Sequence, residues 1–170
     1  MNMRHLYWLL PFLALLAPAA RAAEFIKVDN VAPPPLVLKD ANGKSHSLDA
    51  YKDKVVLVNF WATWCPPCRE EMPSMQRLKE KMAGRPFVML GVNSGEPPAD
   101  LEAFLKVVKV DFDILLDADS AATKRWKVYG LPTSFLVDRQ GKVRYSLTGT
   151  TEWDGGEAVA LIEGMLKQGL

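Results

Sequence analysis

Two stretches of this chain are apolar at almost every position. Val55 to Phe60 and Phe87 to Val92 show no alternation, the pattern of strands covered on both faces. Between them, Cys65 to Met82 carries Met72, Met75, Leu78 and Met82 at steps of three and four, the stripe of a helix with one buried side. Pro67 suits the first turn of that helix, Pro73 is expected to kink it, and Gly84 ends it. Two buried strands joined by a helix predict a βαβ unit, parallel and right-handed.

The helical stripe returns over Asp100 to Val110, with Leu101, Phe104, Leu105 and Val108 on one face. Phe112 to Leu115 reads as a short strand, and Ser120 as the cap of a helix reaching Lys127 or Val128. Thr133 to Val137 and Lys142 to Leu147 flank a turn at Asp138-Arg139-Gln140-Gly141, so they pair antiparallel. Trp153 to Lys167 closes the chain as a helix. Upstream, Leu36 to Leu38 and Ser45 to Leu48 surround Asn42-Gly43, which suits a hairpin with a primed turn. Leu48 to Tyr51 reads as a brief helical turn. The fold class is α/β: a central mixed β-sheet flanked by helices, with an N-terminal β-hairpin extension. The domain covers 36–170, and 23–35, with Pro33, Pro34 and Pro35, reads as an extended linker.

Residues 1–22 belong to a different pattern. Arg4 precedes an apolar run from Leu6 to Ala17, and Ala20-Arg21-Ala22 fits a small-residue cleavage signal. The run is short for a spanning helix and is broken by Pro11 and Pro18, so a secretory signal is the first reading and an uncleaved anchor the second. Export, with a periplasmic home, follows from either. The whole chain of 170 residues has a net charge of +1. Without residues 1–22 it holds 19 basic and 20 acidic residues, a net of −1. Neither balance leaves the footprint of a nucleic-acid binder.

The chemistry is concentrated in Trp64-Cys65-Pro66-Pro67-Cys68, which holds both cysteines of the chain. Following a buried strand and opening a helix, it sets the first thiol beside unpaired N–H groups and the positive end of the helix dipole, which favours thiolate. A structural disulfide across so short a loop constrains the unfolded chain little. A structural zinc site needs four ligands, and beyond the two cysteines the chain offers only His5 and His46. Disulfide exchange is the remaining use. Cys65, nearer the solvent end, is expected to attack, and Cys68, one turn inside, to resolve. Glu71 lies three residues past Cys68 on the same side of the helix; it reads equally as a proton-exchanging group and as a solvated carboxylate like Glu70. Glu96, in Gly95-Glu96-Pro97-Pro98, reads as part of a plain loop.

Asn59 to Pro73, Val92-Asn93-Ser94-Gly95-Glu96 and Tyr129 to Asp138 together resemble the thioredoxin superfamily, and within it the exported TlpA/ResA-like thiol-disulfide reductases. The order holds from about Pro35 to Leu170. The resemblance implies a thioredoxin-like fold and a cis bond before Pro132, with the Leu131 backbone beside Cys65 where it can pair with a client. Many thioredoxins have a buried Asp where this chain has Asn59; the TlpA/ResA group offers Glu71 for the proton instead. Trp64, Pro66, Pro67, Leu131 and Thr133 are then expected to bind client.

That reading makes the chain a monomeric exported reductase of client disulfides, with no cofactor beyond its own Cys65–Cys68 pair. Apocytochrome c or copper-delivery proteins are the expected clients, and a membrane protein of thiol type the electron donor. A CcmG-like thioredoxin of cytochrome c maturation is the close alternative, although Thr133 stands where that pattern has an acid. A disulfide donor reverses the electron flow. A copper-binding module, with Cys65, Cys68 and a Met on Cu(I), is the alternative of another class. Peroxidase chemistry has only Arg69 near the motif to support it.

Overall fold

A computed structural model describes residues 23–168; the signal or anchor expected over 1–22 lies outside them. Along the chain run β1 (Ile26–Val31), β2 (Val37–Asp40), β3 (Ser45–Ser47), β4 (Val55–Trp61), α1 (Pro66–Lys81) and β5 (Phe87–Ser94). They are followed by α2 (Pro98–Val107), β6 (Asp113–Asp117), α3 (Ala121–Arg125), β7 (Thr133–Val137), β8 (Val143–Thr148) and α4 (Gly156–Lys167). A 3-10 turn covers Leu48–Tyr51. The strands form one mixed sheet in the order β1-β8-β7-β4-β5-β6-β2-β3.

The uninterrupted run at 55–61 is the centre of this sheet. All seven residues of β4 are buried, between parallel β5 and antiparallel β7. Alternate residues feed opposite layers. Val55, Leu57 and Trp61 pack with Met72, Met75 and Leu78 of α1 and Ile162 and Met165 of α4. Val56, Val58 and Phe60 pack with Leu90, Leu115, Ala122 and Trp126 on the other face. Each such side chain contributes about 1.5–3 kcal/mol by leaving water, so the two layers fix β4 firmly. By the same alternation Asn59 faces the α1 side.

Several boundaries differ from the sequence reading. The segment 23–35 is extended, but part of it is no linker: β1 pairs antiparallel with β8 along the sheet edge. Mostly exposed side chains give this strand no periodic signal, and its backbone pairing holds it. Neither hairpin uses a primed turn. Gly43 and Gly141, at φ +82° and +74°, each donate to the carbonyl of an aspartate three residues back, Asp40 and Asp138. Each turn is therefore type I closed by a left-handed glycine. The Asp carboxylate in each accepts two further backbone N–H groups.

Helix α1 runs on through Pro73. Helix α2 stops at Val107, because Val108 has extended backbone, and β6 begins only at Asp113. Ser120 makes no side-chain cap to α3; the Asp117 carboxylate accepts from the N–H groups of Ala122 and Thr123 instead. Helix α4 starts at Gly156, leaving Trp153 in the preceding loop, fully buried.

Candidate active site

β4 ends at Trp61, and the chain turns through Ala62 to Cys65, closed by a Cys65 N–H to Ala62 C=O bond of 3.2 Å. Cys65 is the N-cap of α1. Pro66 and Pro67 fill the next two positions and have no N–H to offer, so the first helical donor is Cys68 N–H. It reaches Cys65 Sγ at 3.3 Å. The two prolines thus leave one aimed backbone donor for the Cys65 sulfur, which together with the helix dipole stabilises a thiolate there. Cys65 and Cys68 are joined as a disulfide with Cα atoms 5.3 Å apart, and both are buried.

Glu71 is not solvated. It is 3 % exposed, whereas its neighbour Glu70 is on the surface. Asn59 Nδ2 donates to Oε1 at 2.8 Å, and Trp153 Nε1 donates to Oε2 at 3.1 Å. Asn59 also donates to Ser134 Oγ at 2.9 Å, which fixes its amide between β4 and β7. Burial pushes the Glu71 carboxyl from 4.5 up to about 7, against the opposing pull of hydrogen bonds from Trp153, Asn59 and the Thr151 backbone. A carboxyl with that pKa, one helical turn from Cys68, changes its protonation state near neutral pH.

The Leu131–Pro132 bond is cis. Pro132 is buried, Leu131 half-buried, and the Pro132 carbonyl accepts from Gly149 N–H at 2.9 Å. Trp64 is 66 % exposed, and Pro66 and Pro67 are exposed beside it. Thr133 is buried instead: its hydroxyl donates to the Gly130 carbonyl at 2.8 Å and meets Thr148 Oγ1 at 3.2 Å. What the fold gives Thr133 is the fixing of the loop behind Pro132. An open cleft of about 620 Å³ runs between Pro67, Glu71, Leu131 and Pro132 on one side and the 148–152 segment on the other.

The fold therefore gathers Cys65, Cys68, Glu71 and Pro132 at one end of β4, with Trp64, Pro66, Pro67 and Leu131 at their rim. Sequence reasoning missed the partners of Glu71. Asn59 is visible as the polar break in an apolar strand, but Trp153 lies 82 residues from Glu71, and Ser134, which holds the Asn59 amide, lies 75 residues from Asn59, so neither leaves a local signal. Glu96 is no plain loop residue: it is 4 % exposed and its carboxylate accepts from Thr63, two residues before Cys65.

Residues 28–146 match the AhpC/TSA family. The thiol-disulfide oxidoreductase ResA of Geobacillus thermodenitrificans is 40% identical over 117 residues, which are 69% of this chain and 67% of that one. ResA of Bacillus subtilis is 38% identical over 117 residues, 69% of this chain and 65% of that one. Among solved structures, a Chlorobium tepidum protein described as a thiol:disulfide interchange protein DsbE superposes with a TM-score of 0.76 at 30% identity, covering 83% of this chain and 99% of its own. StoA from Bacillus subtilis superposes at 0.64 with 27% identity, covering 77% of this chain and 96% of its own.

Proposed function

This chain belongs to the AhpC/TSA family and is a thiol-disulfide oxidoreductase of the ResA and DsbE kind, and from that premise we propose that it is an exported reductase of client protein disulfides. Cys65 thiolate attacks one sulfur of the client disulfide. That S–S bond breaks, a Cys65–client disulfide forms, and the other client sulfur leaves as thiolate. Cys68 gives its proton to Glu71 and attacks Cys65 Sγ. The Cys65–Cys68 disulfide forms and the second client thiolate departs. Two electrons have then passed from the dithiol to the client, and Glu71 returns its proton to a departing thiolate.

Glu71 is the observation that carries the exchange cycle, which runs in either direction. Cys68 is buried and needs a base before it can resolve the mixed disulfide, and Glu71, one helical turn away with its carboxyl raised to about 7, is the buried group suited to take that proton. Trp64, Pro66, Pro67 and the Leu131 backbone form the rim that receives an extended client segment; Thr133 supports that rim from behind. Apocytochrome c thiols and copper-delivery proteins are the client classes, which keeps a CcmG-like role in cytochrome c maturation within the same reading. A membrane protein of thiol type returns two electrons to the pair. The protein works as a monomer in the periplasm, soluble or held by its N-terminal apolar segment.

The in-vivo thiol state tests the direction. Cells are quenched in acid and the protein is alkylated with a mass tag. Cys65 and Cys68 are expected to be mostly reduced, which in an oxidising compartment requires a dedicated donor. A pair found mostly as disulfide in cells with their electron supply intact would make the protein a disulfide donor.

A further inference from the structure

We propose that Glu96 is a positioning residue for disulfide exchange, a buried clamp that holds the turn carrying Trp64 and Cys65. Its carboxylate accepts three hydrogen bonds: from Thr63 N–H at 2.7 Å, from Thr63 Oγ1–H at 2.5 Å, and from Asn93 Nδ2–H at 2.5 Å. Thr63 is the second residue of the turn closed by Cys65 N–H to Ala62 C=O. Fixing both polar groups of Thr63 fixes that turn. The turn in turn sets Trp64 outward and brings Cys65 Sγ under the Cys68 N–H.

Glu96 is itself built in. Asn93 is fully buried, and its Oδ1 finds no protein donor among the described residues, so the bond to Glu96 is what its buried amide supplies. The adjoining Gly95 lies at φ +71° and donates to the Asp117 carbonyl at 2.9 Å. A Cβ on Gly95 would stand 2.6 Å from Ser120 Oγ. Ser94 Oγ and Thr123 Oγ1 are hydrogen-bonded at 2.9 Å. Pro97 and Pro98 follow, and Pro98 opens α2. The clamp is therefore anchored on β5, β6 and α3, elements independent of α1. Glu71, on α1 with Cys68, is held by Asn59 of β4 and by Trp153 of the loop before α4, so the two buried carboxyls serve different parts of one site.

The inference rests on Cys65 as the attacking thiol. Reduced protein is reacted with iodoacetamide across pH, with the modified cysteine read by mass spectrometry, and with neutral 2-hydroxyethyl disulfide. Glu96→Ala is expected to slow exchange at Cys65 by between about tenfold and a hundredfold, the scale set by a misplaced reacting group, and to raise the pH at which Cys65 becomes reactive. Glu96→Gln is expected to restore most of the rate: its oxygen takes Thr63 N–H and Asn93 Nδ2–H while its amide donates to a reversed Thr63 hydroxyl. Glu96→Asp, one methylene short, is expected to resemble alanine. A folded Glu96→Ala with the wild-type rate and pH profile overturns the clamp, and so does a Glu96→Gln as slow as alanine. If Glu96→Ala does not fold, Thr63→Val, which keeps the N–H and loses the hydroxyl, is expected to give a smaller slowing in the same direction; no slowing overturns the inference. Alkylation that begins at Cys68 in the wild type instead sinks the mechanism on which the inference rests.

Discussion

Glu71 shows how one residue's surroundings decide its chemistry. Glu70 and Glu71 are neighbours of the same type, yet only Glu71 turns inward on α1 with Cys68, Met72 and Met75. No cation contributes to its shifted pKa; desolvation leads, and three neutral donors oppose it in part. The shift is also a statement about stability. The carboxyl titrates at 4.5 when unfolded and at about 7 when folded, so the folded state favours its protonated form. Its contribution is complete below pH 4.5 and is lost as pH rises through about 7. At about 1.36 kcal/mol per unit the loss is on the order of 3 kcal/mol. Glu71→Gln does not titrate. Urea unfolding of the oxidised protein at pH 4, 6 and 8 is therefore expected to show the variant gaining stability on the wild type by roughly that amount between the first and last pH. A difference that stays constant over this range would mean that the carboxyl remains near its ordinary value.

At the scale of elements, the approach to α4 positions Trp153 and carries its own constraint. Gly155 caps the helix at φ −74°, a conformation open to any residue, so its reason for being glycine is space. A Cβ there would lie 2.8 Å from the Glu152 carbonyl, a backbone atom with little freedom to move. Gly156, the next residue, has nothing within 4 Å of its Cβ position. Gly155→Ala is expected to cost about 1–3 kcal/mol and to disturb the Trp153–Glu71 bond, seen as a shift in Trp emission. Gly156→Ala, in the first turn of the helix, is expected to be neutral or to stabilise by about 0.5–1 kcal/mol. Equal effects at the two positions in chemical denaturation would refute the steric argument. This region also marks where sequence reading reaches its limit. The buried runs of β4 and β5, the stripe of α1 and the Cys-x-x-Cys at its start were legible because each is a local pattern. Ser120 sits where a cap of α3 should be, at φ +56°, but the capping group comes from Asp117 at the end of β6, which no local pattern announces. Trp153 read as the first residue of a helix, since nothing nearby in sequence announces that its indole N–H is needed 82 residues away.

For the whole molecule, the least legible element touches the most functional one. β1 extends the sheet beyond β8, and just before it Phe25 packs edge-on against Trp153 with ring centroids 5.8 Å apart. Trp153 covers Glu71, so the edge of the sheet and the proton site are two contacts apart. A Cβ on Gly149, beside the cleft, would come within 3.1 Å of the Ala23 side chain, which shows how closely the start of this segment lies along the site. If 23–31 only tethered the domain, removing it would leave the site unchanged. Because it is a strand whose approach shields Trp153, a chain starting at Ala32 is expected to lose stability, to show red-shifted Trp153 emission, and to let water nearer Glu71. Desolvation is the leading cause of the raised pKa, so rehydration moves the carboxyl down from about 7 toward 4.5. The pH at which disulfide exchange responds to the Glu71→Gln substitution should fall with it. A truncated protein that keeps the full-length pH profile, with only its melting temperature lowered, would confine β1 to stability. A downward shift of the profile would make the sheet edge part of how this protein sets the proton affinity beside its thiols.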